Sequence, residues 1–140
     1  MINVFIICKN DYFFQVMKSV LYEQGIEIIG VCKMPKNLSD AIDCYTLHAA
    51  SKPIVIIDCN WSNVECGFSC TAACEALLIY DNSINLILVS TFFESKLVQK
   101  AVQLKAKGYI YRNLNSVYPI IDCIKAVAEG KCYYVDPLQL

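Results

Sequence analysis

Apolar residues gather in five short, nearly unbroken runs, and the stretches between them carry apolar positions at intervals of three and four. The runs are INVFIIC (2–8), IEIIGV (26–31), PIVIID (53–58), INLILVS (84–90) and the shorter YIYR (109–112). Their lengths fit strands. After the first run, DYFFQVMKSVLYEQG predicts a helix with Asp11 as N-cap, Phe13, Val16 and Val20 on its inner face, and Gly25 as its stop. Further helices are predicted over 37–50, with Ser39 or Asp40 near the start, over 63–80, where Gly67 weakens the pattern, and over 94–108, ending at Gly108. The last helix, 115–130, aligns Val117, Ile120, Ile121, Ile124, Val127 and Ala128 on one stripe, with Pro119 in its first turns. The tail KCYYVDPLQL reads as a loop.

Strand and helix therefore alternate five times. Strands that are apolar throughout, not at every second position, have both faces covered, which is the pattern of a parallel sheet with helices on each side. The predicted fold is a single α/β domain, a doubly wound five-stranded parallel sheet of (βα)5 type over residues 1–130, with 131–140 as the start of a linker or a C-terminal tail.

Composition adds constraints. Hydrophobic residues make up 56% of the 140-residue chain and charged residues 18%, yet no apolar run approaches the ~18 residues of a membrane span. The N-terminus lacks the pattern of a secretory signal, so a cytoplasmic location is expected. A net charge of −1 without a basic block excludes these residues as a nucleic-acid surface. The nine cysteines are an odd number, and Cys8, Cys32 and Cys59 lie in or at the ends of apolar strands. Thiols there act as small hydrophobes, as a reducing compartment permits.

In parallel α/β sheets the functional crevice lies at the carboxyl ends of the strands. Asp58, Cys8, Ser90 and Arg112 all fall at such ends. No glycine-rich phosphate loop follows the first strand, where the chain reads CKNDYFF, so a nucleotide site is not expected.

These residues carry a resemblance. The whole chain resembles a receiver domain of a two-component response regulator, a CheY-like fold, and is most similar to the NarL/LuxR type. PIVIIDCN matches the third strand and puts Asp58 at the phosphoacceptor position; LILVS puts Ser90 at the switch hydroxyl. AVQLKAKGYIYRN puts Tyr109 at the switch aromatic and Arg112 where the family has its phosphate-binding lysine. IKAVAEGKCYYVDPLQL resembles the last helix and the start of an interdomain linker, from which a LuxR-type chain continues into its DNA-binding domain. The resemblance implies Mg²⁺ held by two acids at the end of the first strand and by the phosphoacceptor.

The sequence departs from that pattern where it matters chemically. The two acids should fall at Cys8 and Lys9, and a thiol and an ammonium cannot replace hard oxygen ligands. Mg²⁺ binding is thus expected to be weak or lost, with no other cofactor and no metal site. A Lys9–Asp58 ion pair, contributing ~1 kcal/mol, is expected in the metal's place. Arg112 keeps the lysine's charge on a bulkier planar fork, and Trp61 and Ser62 occupy the loop after Asp58 where the family has a proline.

The expected function is that of a degenerate receiver, not an enzyme. It would act through protein contacts and homodimerisation on the face of the fourth helix, fifth strand and fifth helix, where Tyr109, Tyr111 and Tyr118 supply aromatics. DNA would be met only through a further domain. One alternative is ordinary phosphorylation of Asp58 by a histidine kinase. Another is a thiol-based redox or metal sensor, with Cys8 and Cys59 flanking the crevice. Cys66, Cys70 and Cys74 recur every four residues, but on a helix the outer pair would be about 12 Å apart, too far for one metal, so packing explains them better. His48, the one histidine, is expected on the surface of the second helix.

Overall fold

The computed structural model describes residues 1–59, 69–90, 95–111 and 118–134. Expectations for Trp61, Ser62, Cys66, Arg112 and Val117 lie outside them. In chain order the elements are β1 (Ile2–Cys8), α1 (Tyr12–Glu23), β2 (Ile26–Lys33), α2 (Leu38–Thr46), a 3-10 turn (Ala49–Ser51), β3 (Ile54–Asp58), α3 (Cys70–Tyr80), β4 (Leu86–Ser90), α4 (Ser95–Gln103), β5 (Gly108–Tyr111), α5 (Tyr118–Ala128) and β6 (Tyr133–Tyr134). The sheet is parallel, in the order β2-β1-β3-β4-β5-β6.

Side chains alternate along each strand, so an all-apolar strand feeds two cores. Val4, Ile6, Cys8, Ile54, Ile56, Ile87, Val89 and Ile110 face α1 and α5. Phe5, Ile7, Val55, Ile57, Leu86, Leu88 and Tyr109 face α2, α3 and α4. The three strands β1, β3 and β4 lie between these layers with their carboxyl ends level, which is what brings the candidate residues together.

Among the described residues the sheet has six strands, not five. The segment expected as a loop returns along β5, pairing Gly108 with Tyr133 and Tyr109 with Tyr134. The Tyr133 N–H donates to the Lys107 carbonyl at 2.9 Å, and the Tyr134 hydroxyl donates to the Ala106 carbonyl. Gly108 belongs to this junction and does not stop α4. A Cβ there would stand 2.7 Å from Cys123 Sγ and 3.2 Å from the Tyr133 carbonyl oxygen. Helix α4 ends earlier, and the chain turns at Lys105 with φ of 64°.

Three helices differ from expectation for local reasons. In α1 the buried stripe is Phe14, Met17 and Leu21, while Val16 is 63% exposed. The stretch FFQVMKSVL holds two apolar stripes one residue apart, both with helical spacing, and packing against the sheet selects between them. Helix α2 starts from Asn37, whose Oδ1 accepts the Asp40 N–H at 2.8 Å, while Asp40 Oδ2 accepts the Lys36 N–H at 2.9 Å. The first bond satisfies an amide that the first turn leaves open, and the second ties the residue before the cap back to the helix. Helix α3 begins at Cys70, because extended Ser69 caps it by accepting the Ala72 N–H at 3.1 Å; the expected start over 63–68 lies outside the described residues.

His48 is not a solvated helix residue. It follows α2, stacks on Phe5 with ring centres 5.2 Å apart, and lies over Gly30, where a Cβ would meet its Nε2 at 2.6 Å. That close approach explains a glycine in the middle of β2.

Candidate functional site

Asp58 is the last residue of β3, paired in register with Val89 of β4, and is 4% exposed. The β1–β3 register runs from Val4–Ile54 to Ile7–Ile57, so Cys8 is the next rung, level with Asp58. Cys8 is wholly buried and joins the core beneath α1 and α5. Its carbonyl accepts the Met34 N–H at 2.8 Å, which ties the end of β1 to the chain leaving β2.

Lys9 stands past the last rung and its side chain is exposed. Among the described residues the ion pairs are Lys33–Asp11 and Lys131–Glu129, each at 3.0 Å. Neither of these two joins Lys9 to Asp58. An ammonium brought against a carboxylate this buried would itself lose water, a cost that a solvated lysine avoids.

Among the described residues, Lys33 and Asp11 form a charge pair at this corner. Lys33 ends β2 directly opposite Cys8 in register. Asp11 occupies the N-cap position of α1 without capping it through its side chain. Its carboxylate accepts from Gln15 Nε2 at 2.9 Å through one oxygen and meets Lys33 with the other. Gln15 first and then Lys33 hold the Asp11 carboxyl below its usual range. Sequence reasoning missed this pair because it ended β2 at Val31. The extra two residues put Lys33 on the rung beside the crevice.

Across the sheet, Ser90 Oγ and the Tyr109 hydroxyl are hydrogen-bonded at 2.7 Å. Both are buried, and the ring of Tyr109 lies in the core beneath α2, α3 and α4. Tyr109 thus supplies no surface aromatic, contrary to expectation. Its strand position points it inward, and the buried hydroxyl finds Ser90. Tyr111 is half-buried and Tyr118 is 68% exposed.

Among the described residues, the end of the first strand offers a Mg²⁺ ion no carboxylate. Mg²⁺ takes oxygen ligands in octahedral array. Around Asp58 the first strand contributes a buried thiol and an exposed ammonium, and the carboxylate of Asp11 is engaged with Lys33 and Gln15. Among the described residues no three His, Cys, Asp or Glu side chains converge as metal ligands.

The thiols sort into two kinds. Cys32, Cys74 and Cys123 are buried, and burial pushes the Cys74 and Cys123 thiols up to about 12 and raises Cys32 as well. They behave as core residues. Cys59, just past Asp58, is joined through sulfur to Cys70, the first residue of α3, with Cα atoms 5.0 Å apart. The sulfur partner of Cys59 is thus Cys70 and not Cys8, which the thiol-sensor alternative set beside it at the crevice.

No protein-family model and no curated protein matches the sequence. Solved structures match it closely in shape. A LuxR-family two-component response regulator from Aurantimonas sp. SI85-9A1 superposes with a TM-score of 0.76 at 16% identity, over 96% of this chain and 89% of that one. The CheX–CheY–BeF3–Mg complex from Borrelia burgdorferi gives 0.75 at 17% identity, over 91% and 89%. The isolated receiver domain of RcsB from Salmonella enterica serovar Typhimurium, with BeF3, gives 0.71 at 11%, over 99% and 96%. No described helix is long and apolar enough to cross a membrane. The chain has the CheY-like fold of response-regulator receiver domains, with one short strand added at the β5 edge.

Proposed function

We propose that this chain is the receiver domain of a LuxR-type transcription regulator, working in the cytoplasm, in which metal-dependent phosphorylation of Asp58 has been lost. It is a signalling module and not an enzyme. The observation that carries this reading is the end of β1, where a buried thiol and a solvated ammonium stand beside the buried Asp58 in a receiver fold. Transfer of a phosphoryl group concentrates negative charge that a metal ion normally neutralises. Without oxygen ligands for that ion, Cys8 and Lys9 leave Asp58 a structural carboxylate, and the domain does not use Mg²⁺.

Signal then passes through protein contact. Ser90 and Tyr109 form a buried pair between β4 and β5, and Arg112 stands at the position of the family's lysine. A partner that binds two arrangements of that pair with different affinity shifts their populations without phosphate. The face of α4, β5 and α5 is the proposed homodimer surface, now including β6 along the edge of β5. Exposed Val102 and Tyr118 favour it. DNA is contacted through another domain.

The competing reading, an ordinary receiver phosphorylated by a histidine kinase, predicts a different result in one experiment. The protein is incubated with acetyl phosphate and Mg²⁺ and its intact mass recorded. Our reading predicts an unchanged mass. A stoichiometric phosphoryl adduct that disappears in Asp58→Ala would establish the competing one.

A further inference from the structure

Asp58 is followed at once by a cysteine that the fold brings to the start of α3. Cys59 and Cys70 are 11 residues apart in sequence, yet their Cα atoms lie 5.0 Å apart with the sulfurs joined. That separation falls within the disulfide range of roughly 4.4–6.8 Å. Both backbones are held independently of the sulfurs. The Cys59 N–H donates to the Val89 carbonyl at 2.7 Å, and Cys70 begins a helix capped by Ser69. The sheet and the helix cap thus bring the two thiols together. The two differ in exposure, since Cys59 is half-buried and Cys70 is buried.

We propose that Cys59 and Cys70 are a reversible dithiol–disulfide site that locks the first turn of α3 to the end of the Asp58 strand. The oxidant is a hydroperoxide. The Cys59 thiolate, the more accessible of the two, attacks the peroxide; an S–O bond forms, the O–O bond breaks, and one water leaves after protonation. The Cys70 thiolate then attacks the sulfenic sulfur; the S–S bond forms, the S–O bond breaks, and a second water leaves. Two thiols and one hydrogen peroxide give one disulfide and two waters, with two electrons passing from sulfur to peroxide oxygen. A small dithiol restores both thiols through a mixed disulfide. The structure is that of the locked form.

The lock bears on the neighbouring site through the backbone. Cys59 is hydrogen-bonded to Val89, Val89 precedes Ser90, and Ser90 holds Tyr109. Oxidation therefore fixes α3 against the rungs that carry Asp58 and the Ser90–Tyr109 pair. This inference rests on the fold and not on whether Asp58 is phosphorylated.

The test uses the whole chain. Protein reduced with dithiothreitol is desalted, treated with hydrogen peroxide, alkylated and mapped by mass spectrometry. The expected result is loss of two alkylatable thiols of the nine, one cross-linked peptide joining Cys59 to Cys70, and full reversal by dithiothreitol. Cys59→Ser and Cys70→Ser should each abolish the cross-link, and Cys74→Ser should retain it. The thermal midpoint of the oxidised protein should exceed that of the reduced protein by roughly 10 °C. Peroxide-treated wild-type protein in which Cys59 and Cys70 both remain alkylatable, or in which another pair is linked, would overturn the proposal. So would oxidised and reduced forms that exchange the Ala72 and Ala73 amides at equal rates.

Discussion

The Ser90–Tyr109 hydrogen bond is the most informative single contact, because it joins two strands through side chains that are 3% and 0% exposed. A buried polar group that loses a partner costs about 1–3 kcal/mol. Ser90→Ala and Tyr109→Phe should each destabilise by that amount in chemical denaturation. The double variant should cost less than the two together, since one interaction is removed only once. Strict additivity would show that the hydroxyls do not interact. Gly30 makes a second residue-level claim. Gly30→Ala should lose about 1 kcal/mol by driving His48 off Phe5, whereas in a His48→Ala background the same change should be neutral or stabilising. The sequence marked Ser90 and Asp58 clearly, because each is a polar side chain ending an apolar run. It could not mark the Lys33–Asp11 pair, whose members are 22 residues apart and meet only through the register of β1 with β2.

Elements were legible where one periodicity dominated. The strands β1, β3 and β4 are nearly unbroken apolar runs and lie within two residues of their expected bounds. Helix α1 carried two equivalent stripes, and its roll was decided by tertiary packing. That roll is testable: Met17→Ala or Leu21→Ala should cost about 2–4 kcal/mol, and Val16→Ala less than about 0.5. A costly Val16→Ala would place the helix on its other face. Strand β6 was illegible because two tyrosines between Cys132 and Val135 carry no periodicity, and its pairing depends on Gly108, which looked like a helix stop. Gly108→Ala should cost about 1–3 kcal/mol and release β6, seen as faster amide exchange at Tyr133 and Tyr134. Unchanged exchange there would show that β6 does not need the close approach.

At the scale of the molecule, two apolar layers enclose the sheet and fix its response to alkali. Burial raises Cys74 and Cys123 from the usual 9.0 to about 12 in the folded protein. A raised folded pKa contributes stability that is complete below the unfolded value and is lost as pH rises towards the folded one. Stability should therefore fall between about pH 9 and 12, by roughly 1.4 kcal/mol per pH unit for each thiol. A flat profile over that window would contradict their burial. The same architecture carries the receiver fold at 11–17% identity to the solved structures described above, and here its first strand ends on Cys8, level with Asp58. Titration of Mg²⁺ into isotopically labelled protein, followed at the amides of Cys8, Asp58 and Cys59, tests that account most directly. It predicts no saturable shift at millimolar Mg²⁺. Saturable shifts at those amides that vanish in Asp58→Asn would contradict it.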